Sequence, residues 1–135
     1  MALHLSSNDR KQLLRCAADV GQNECCGVLR GRDQKVMAVE WAANVAADPS
    51  RNFEIDPAAL IAVHKDVRAG GVPLLGYFHS HPNGLARPSA TDIAQAAPDG
   101  LIWLIIAGGA FTAWQPIALG AHVTGFTPVP LIVEG

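Results

Sequence analysis

Charge is what this chain of 135 residues lacks most: Asp, Glu, Lys and Arg together make up 16% of it, against roughly 25% in an average soluble domain. Half of the residues are hydrophobic, which argues against disorder and for a large interior. Lys and Arg nowhere cluster, and the formal net charge is −2. Without a basic patch the surface lacks the electrostatic footprint that nucleic acid or anionic lipid requires. Long apolar runs are missing as well. The longest, LIWLIIA at 101–107, is far shorter than the roughly 20 residues that cross a bilayer. The start MALHLSSNDRKQ has no basic segment followed by an apolar block, so it does not read as a secretory signal, and a cytoplasmic protein is expected. Cysteine is scarce: Cys16, Cys25 and Cys26 are odd in number and have no C-x-x-C spacing, matching neither a disulfide framework nor a thiolate zinc site. They read as buried free thiols.

Repeats, linkers and low-complexity segments are also absent, so one domain over 1–135 is expected. Ser6-Ser7-Asn8-Asp9 offers an N-cap, and Leu13, Ala17 and Val20 recur at helical spacing, predicting a helix over about 7–20. CCGVLRG and KVMAVEW flank the turn-rich GRDQ and predict a hairpin, with Met37, Val39 and Trp41 alternating against Ala38 and Glu40. After the loop NVAADPSRN, Asp56-Pro57 suits the N-cap and first position of a second helix whose stripe is Leu60, Val63, His64 and Val67. VPLLGYF at 72–78 reads as a strand buried on both faces. SATDIAQAA then predicts a short helix stopped by Pro98, and strands are expected in LIWLIIA, in FTAWQPI and, last, somewhere within HVTGFTPVPLIV. The order specifies an α/β or α+β layer, one sheet with helices packed on it.

The chemistry concentrates in GYFHSHPNGLARPSATD, residues 76–92. Side chains two apart on a strand share a face, so His79 and His81 can direct both imidazoles to one point while Ser80 turns away. Ser89-Ala90-Thr91-Asp92 opens the next helix and returns Asp92 toward the strand end. Two imidazoles and a carboxylate suit Zn²⁺, and three protein ligands leave the fourth tetrahedral position for water, as in hydrolytic sites. Ser89 and Asp92 also form a capping box on their own account; the two roles do not exclude each other. An isolated H-x-H would be weak evidence for a metal, and the conjunction carries the reading. His64 on a helix stripe, His4 in a frayed terminus and His122 in a loop are expected to stay outside the site.

Such a site also needs a proton shuttle. Glu24, Glu40, Glu54 and Asp56 are the upstream carboxylates, and spacing does not choose among them. Glu24 leads, because it stands just before an apolar strand, whereas Asp56 is explained as a cap and Glu40 and Glu54 as solvent-facing.

With these residues the chain resembles the JAMM (MPN-plus) zinc metalloprotease family, in its short stand-alone prokaryotic form, whose motif is an upstream Glu, H-[ST]-H-P, then S-x-x-D. Glu24, HSHP at 79–82 and SATD at 89–92 match it, and NECCGVLRG and NVAADPSRNFEIDP extend the similarity through about residue 107. The resemblance implies a cytidine-deaminase-like fold, a curved mixed sheet flanked by helices. It further implies one Zn²⁺ per chain held by His79, His81 and Asp92, with Glu24 as general base and acid and Ser89 steadying the oxyanion. The implied reaction is hydrolysis, by zinc-activated water, of a peptide or isopeptide bond at the C-terminal tail of a ubiquitin-like or sulfur-carrier protein. No covalent intermediate is implied, so Cys25 and Cys26 need not be nucleophiles. Three rival readings compete with this one: a metal-free scaffold module, a cell-wall or phage-tail peptidase using the same site, and a zinc deaminase. The last expects H-x-E and P-C-x-x-C, which this sequence lacks.

Overall fold

Ser6 caps the first helix: its Oγ accepts from the Asp9 N–H at 3.0 Å, and α1 runs over Ser7–Val20 with Leu13 and Cys16 buried. The structure, a computed structural model, describes residues 1–135. Ahead of α1, Leu3–Ser6 is a strand, β1, where a frayed end was expected. Parallel pairing with the C-terminal strand holds it, and His4 pairs with Glu134 there.

The hairpin forms as predicted, from β2 (Cys26–Arg32) and β3 (Lys35–Ala42). Asp33 and Gln34 turn it with φ of 53° and 61°, the left-handed pair of a two-residue turn that matches strand twist. Strict alternation along β3 does not hold. Arg30 pairs with Ala38 but Gly31 with Val36, so Met37 is the extra residue of a bulge. Val36 and Val39 face the core under α1, while Met37 and Trp41 are exposed.

Asp56 caps α2 (Pro57–Arg68) by accepting from the Ala58 N–H at 3.1 Å. Val63 is buried, Leu60 and Val67 are half-buried, and His64 is exposed, one position off the stripe expected for it. β4 (Leu74–Ser80) lies between β2, antiparallel, and β5 (Ile102–Ala107), parallel. The crossover between β4 and β5 carries α3 (Ala90–Gln95). β6 (Ala110–Leu119) and β7 (His122–Val129) extend that side. The last predicted strand is in fact two: after Pro130 the chain leaves β7 and forms β8 (Leu131–Glu134) beside β1. His122 accordingly opens a strand and is not in a loop. The sheet order is β7-β6-β5-β4-β2-β3-β1-β8, a mixed sheet flanked by helices.

Both faces of the central strands are covered, which is why they read as continuous apolar runs. Leu29, Phe78 and Leu104 pack with Leu13 of α1 on one face; Val28 and Trp103 pack with Phe53, Ile55 and Val63 on the other. Gly27 is required between them, since a Cβ there would meet the Phe78 ring at 2.5 Å.

Candidate metal centre and active site

Antiparallel pairing sets Cys26 opposite His79. Glu24, just ahead of β2, therefore arrives at the C-terminal end of β4, where the H-x-H pair lies. Its backbone is tied from several sides. The Glu24 N–H donates to Pro49 O at 2.7 Å, Asn44 Nδ2 donates to Glu24 O at 2.9 Å, and the next residue's N–H, that of Cys25, donates to Ser80 Oγ at 2.8 Å. Ser80, turned away from the histidines as the strand period requires, thus anchors the neighbour of Glu24.

His79 Nε2 and His81 Nε2 are 3.0 Å apart. Asp92 Oδ2 lies 3.2 Å from the first and 3.0 Å from the second. The capping box is what holds it there: Ser89 N–H donates to Asp92 Oδ2 at 2.9 Å, and Asp92 N–H donates to Ser89 Oγ at 3.0 Å. A donor atom of Glu24 stands across from the pair, within 4.8 Å of those of both histidines. Glu24, His79, His81 and Asp92 are all buried, at 4%, 0%, 6% and 3% exposure.

The electrostatics separate the four groups. Burial pushes the Glu24 carboxyl up to about 7, and its Oε1 has no hydrogen-bond partner. Burial opposes ionisation of Asp92 too, but the two histidines and the Ser89 N–H outweigh it and hold that carboxyl well below the usual range. Burial lowers His79. For His81 burial is outweighed by Asp92 and by Leu85 O, and its value rises.

Leu85 O can only accept, so the 2.7 Å contact with His81 Nδ1 puts a proton on Nδ1 and, in the neutral ring, leaves the lone pair on Nε2. The turn that presents this carbonyl needs Gly84, whose φ is 78°. A bare imidazole nitrogen, a second imidazole nitrogen and a carboxylate oxygen at such separations repel one another unless a proton or a cation lies among them. Two nitrogens and one oxygen of this kind fit Zn²⁺. The tighter trio is His79, His81 and Asp92, with Glu24 facing it.

The other upstream carboxylates are elsewhere: Glu40 pairs with Arg30 at 3.1 Å, Asp56 caps α2, and Glu54 is exposed. Cys16, Cys25 and Cys26 are free and buried. Two features were not legible beforehand. Phe53 stacks on His79 with ring centroids 4.3 Å apart, and Trp103 meets the same imidazole edge-on at 5.5 Å; only their apolar character was visible. Asn44 is a hub, its Nδ2 donating to the carbonyls of Glu24, Pro49 and Asn52 and its Oδ1 accepting from the N–H groups of Ala46 and Glu54. Its position in a loop of ordinary composition carried no signal. Two cavities flank the centre. An apolar groove of about 380 Å³ runs past Phe53, Leu60, Tyr77 and Trp103, and a cavity of about 500 Å³ with no hydrophobic lining opens over Glu24, His81 and Ser89.

A mixed sheet flanked by helices, with these residues at the end of a central strand, defines a class. The chain belongs to the prokaryotic homologs of the JAB domain, a family matched over residues 7–117. It is 37% identical over 84 residues to the desampylase of Haloferax volcanii, covering 61% of this chain and 60% of that one. It is 37% identical over 92 residues to the probable TtuB-protein conjugate cleaving protease of Thermus thermophilus, covering 68% and 59%. The matches thus span about three-fifths of the length of these curated relatives. Among solved structures, a protein from Desulfitobacterium hafniense superposes with a TM-score of 0.82 at 28% identity, over 98% of this chain and 92% of that one. A structure described as a JAMM metalloprotease-like zinc site shares the fold, with a TM-score of 0.62 at 16% identity over the whole of both chains. No helix of this chain is long and apolar enough to cross a membrane.

Proposed function

We propose that this chain is a zinc-dependent amidase, a metallopeptidase or isopeptidase that hydrolyses the bond joining the C-terminal tail of a ubiquitin-like or sulfur-carrier protein to its extension or conjugate. The observation that carries this reading is the buried Glu24 carboxyl, its Oε1 unpartnered, facing the donor atoms of His79 and His81, on which Asp92 Oδ2 converges from the helix cap. A metal-free scaffold would gain nothing from a buried carboxyl pushed up to about 7, since such a group costs stability. Family membership and the names of the two relatives support the same reaction.

His79, His81 and Asp92 would hold one Zn²⁺ per chain. When bound, zinc polarises a carbonyl and brings the pKa of a water near neutrality. Glu24 takes a proton from the attacking water and returns it to the leaving nitrogen, a task suited to a carboxyl tuned toward 7. Ser89 Oγ accepts from Asp92 N–H at 3.0 Å, which leaves its own O–H free to donate to the charge developing on the carbonyl oxygen. Phe53 and Trp103 close the far side of His79 to water and fix its ring plane. The 1–135 span acts as one domain, in the cytoplasm.

The test is mass spectrometry of ubiquitin-like carriers bearing C-terminal extensions, incubated with zinc-loaded wild type and with Glu24→Gln. Release of the extension by wild type alone is expected. Cleavage restricted to murein-type peptides would assign the chain to the cell-wall reading instead.

A further inference from the structure

The polar cavity contains a cation that the proposed reaction does not use. Arg51 lines it together with Glu24, Gln22, Asn83, His81 and Ser89. We infer that Arg51 is the carboxylate-binding element of a leaving-group subsite, and that the preferred leaving amine is an α-amino acid with its own free carboxylate. The inference rests on the hydrolytic reading above and narrows its substrate class.

The direction of substrate binding follows from proton transfer. Amide hydrolysis adds water across the C–N bond: the oxygen goes to the carbonyl carbon, and a proton must reach the departing nitrogen as that bond breaks. Glu24 is the group placed to deliver it, and Glu24 lines the polar cavity and not the apolar groove. The leaving nitrogen therefore lies on the polar side, and whatever it carries extends among Gln22, Arg51 and Asn83. In a departing α-amino acid the carboxylate is only two bonds from that nitrogen.

Arg51 is available for it. Its side chain is 84% exposed, and its nearest carboxylate, that of Asp48, stands 3.8 Å from Nε, beyond a hydrogen bond. Asp48 is engaged by the Ser50 hydroxyl at 2.7 Å. The segment bearing Arg51 is nevertheless fixed relative to Glu24. Pro49 O accepts from Glu24 N–H at 2.7 Å, the Arg51 and Asn52 N–H groups both donate to Asp48 O, at 3.2 and 3.0 Å, and Asn44 bridges the carbonyls of Glu24, Pro49 and Asn52. One amide side chain thus couples the proton shuttle to the cationic lip of the cavity. A guanidinium on such a frame presents paired N–H donors that match a carboxylate.

The test is binding without turnover. Zinc-loaded Glu24→Gln is titrated calorimetrically with a hexapeptide ending Gly-Gly-Ala, as the free acid and as the C-terminal carboxamide. The acid is expected to bind about tenfold more tightly, the low end for a charge-assisted pair at an open site. Adding Arg51→Ala should erase the difference, and Arg51→Lys should keep part of it. Equal affinities for the two peptides, or a difference that survives Arg51→Ala, would overturn the inference. Cleavage by wild type is scored separately, on the ubiquitin-like carriers with C-terminal extensions: a wild type that releases no extension from them sinks the hydrolytic reading, while the acid–carboxamide difference still decides the role of Arg51.

Discussion

His79 and His81 are the same side chain two residues apart, yet their surroundings differ. His79 is fully buried between Phe53 and Trp103 and is driven toward its neutral form by burial. His81 stands at the strand end on the polar wall, tethered through Nδ1 to Leu85 O and facing the cavity that holds Glu24. The aromatic wall is packed and apolar, and the polar wall carries the ionisable groups, so damage to each should register in a different measurement.

The largest effect is expected on the polar wall. Glu24→Gln should lower kcat by about 10²–10⁴-fold, the worth of a positioned general acid–base, while elemental analysis still finds one zinc per chain. Zinc lost together with activity would instead make Glu24 a ligand. On the aromatic wall, Phe53→Ala should destabilise the fold by about 3 kcal/mol, because it empties a buried ring site, and urea denaturation would measure it. Phe53→Leu should recover much of that loss. Little change in the urea midpoint for Phe53→Ala would mean that the wall is not packed as described.

Next comes Ser89, which lines the polar cavity and holds Asp92 through the helix cap. Ser89→Ala should cut kcat by about 10²-fold through the lost oxyanion donor and lower stability by about 1 kcal/mol through the lost cap. Ser89→Thr should restore both. An alanine variant that lost stability but kept its rate would confine Ser89 to capping.

The smallest effect is on stability against pH. With its carboxyl raised to about 7, metal-free Glu24 binds a proton more tightly folded than unfolded. Its contribution is therefore fully present below about 4.5 and is lost as pH rises through about 7. Metal-free Glu24→Gln should match wild type near pH 4 and exceed it by about 1–2 kcal/mol at pH 8. That is less than the full shift implies, since Glu24 opens on a solvent cavity. Parallel denaturation curves at both pH values would remove Glu24 as a source of stored destabilisation.

Local signals were legible because local physics decides them. The Ser6 and Asp56 caps, the hairpin turn and the H-x-H pair each depend on neighbours within a few residues, and each lies where the sequence predicts it. The misreadings were non-local. Whether Met37 faces the core depends on a bulge against β2, and the ordering of residues 3–6 depends on a strand from the opposite end of the chain. His64 could be placed on the buried stripe of α2 only by knowing how that helix is rotated against the sheet.

The same division runs through the site. The sequence by itself determined two imidazoles on one face of a strand and a helix cap able to return a carboxylate to them, because strand period and capping geometry act over short range. Among four upstream carboxylates it could rank Glu24 first but not join it to the histidines. That choice belonged to tertiary structure: antiparallel pairing of Cys26 with His79 carries Glu24 to the strand end, and Asn44 fastens it beside the Arg51 loop. Register between distant strands is set by the whole buried core, and no single stretch of residues encodes it.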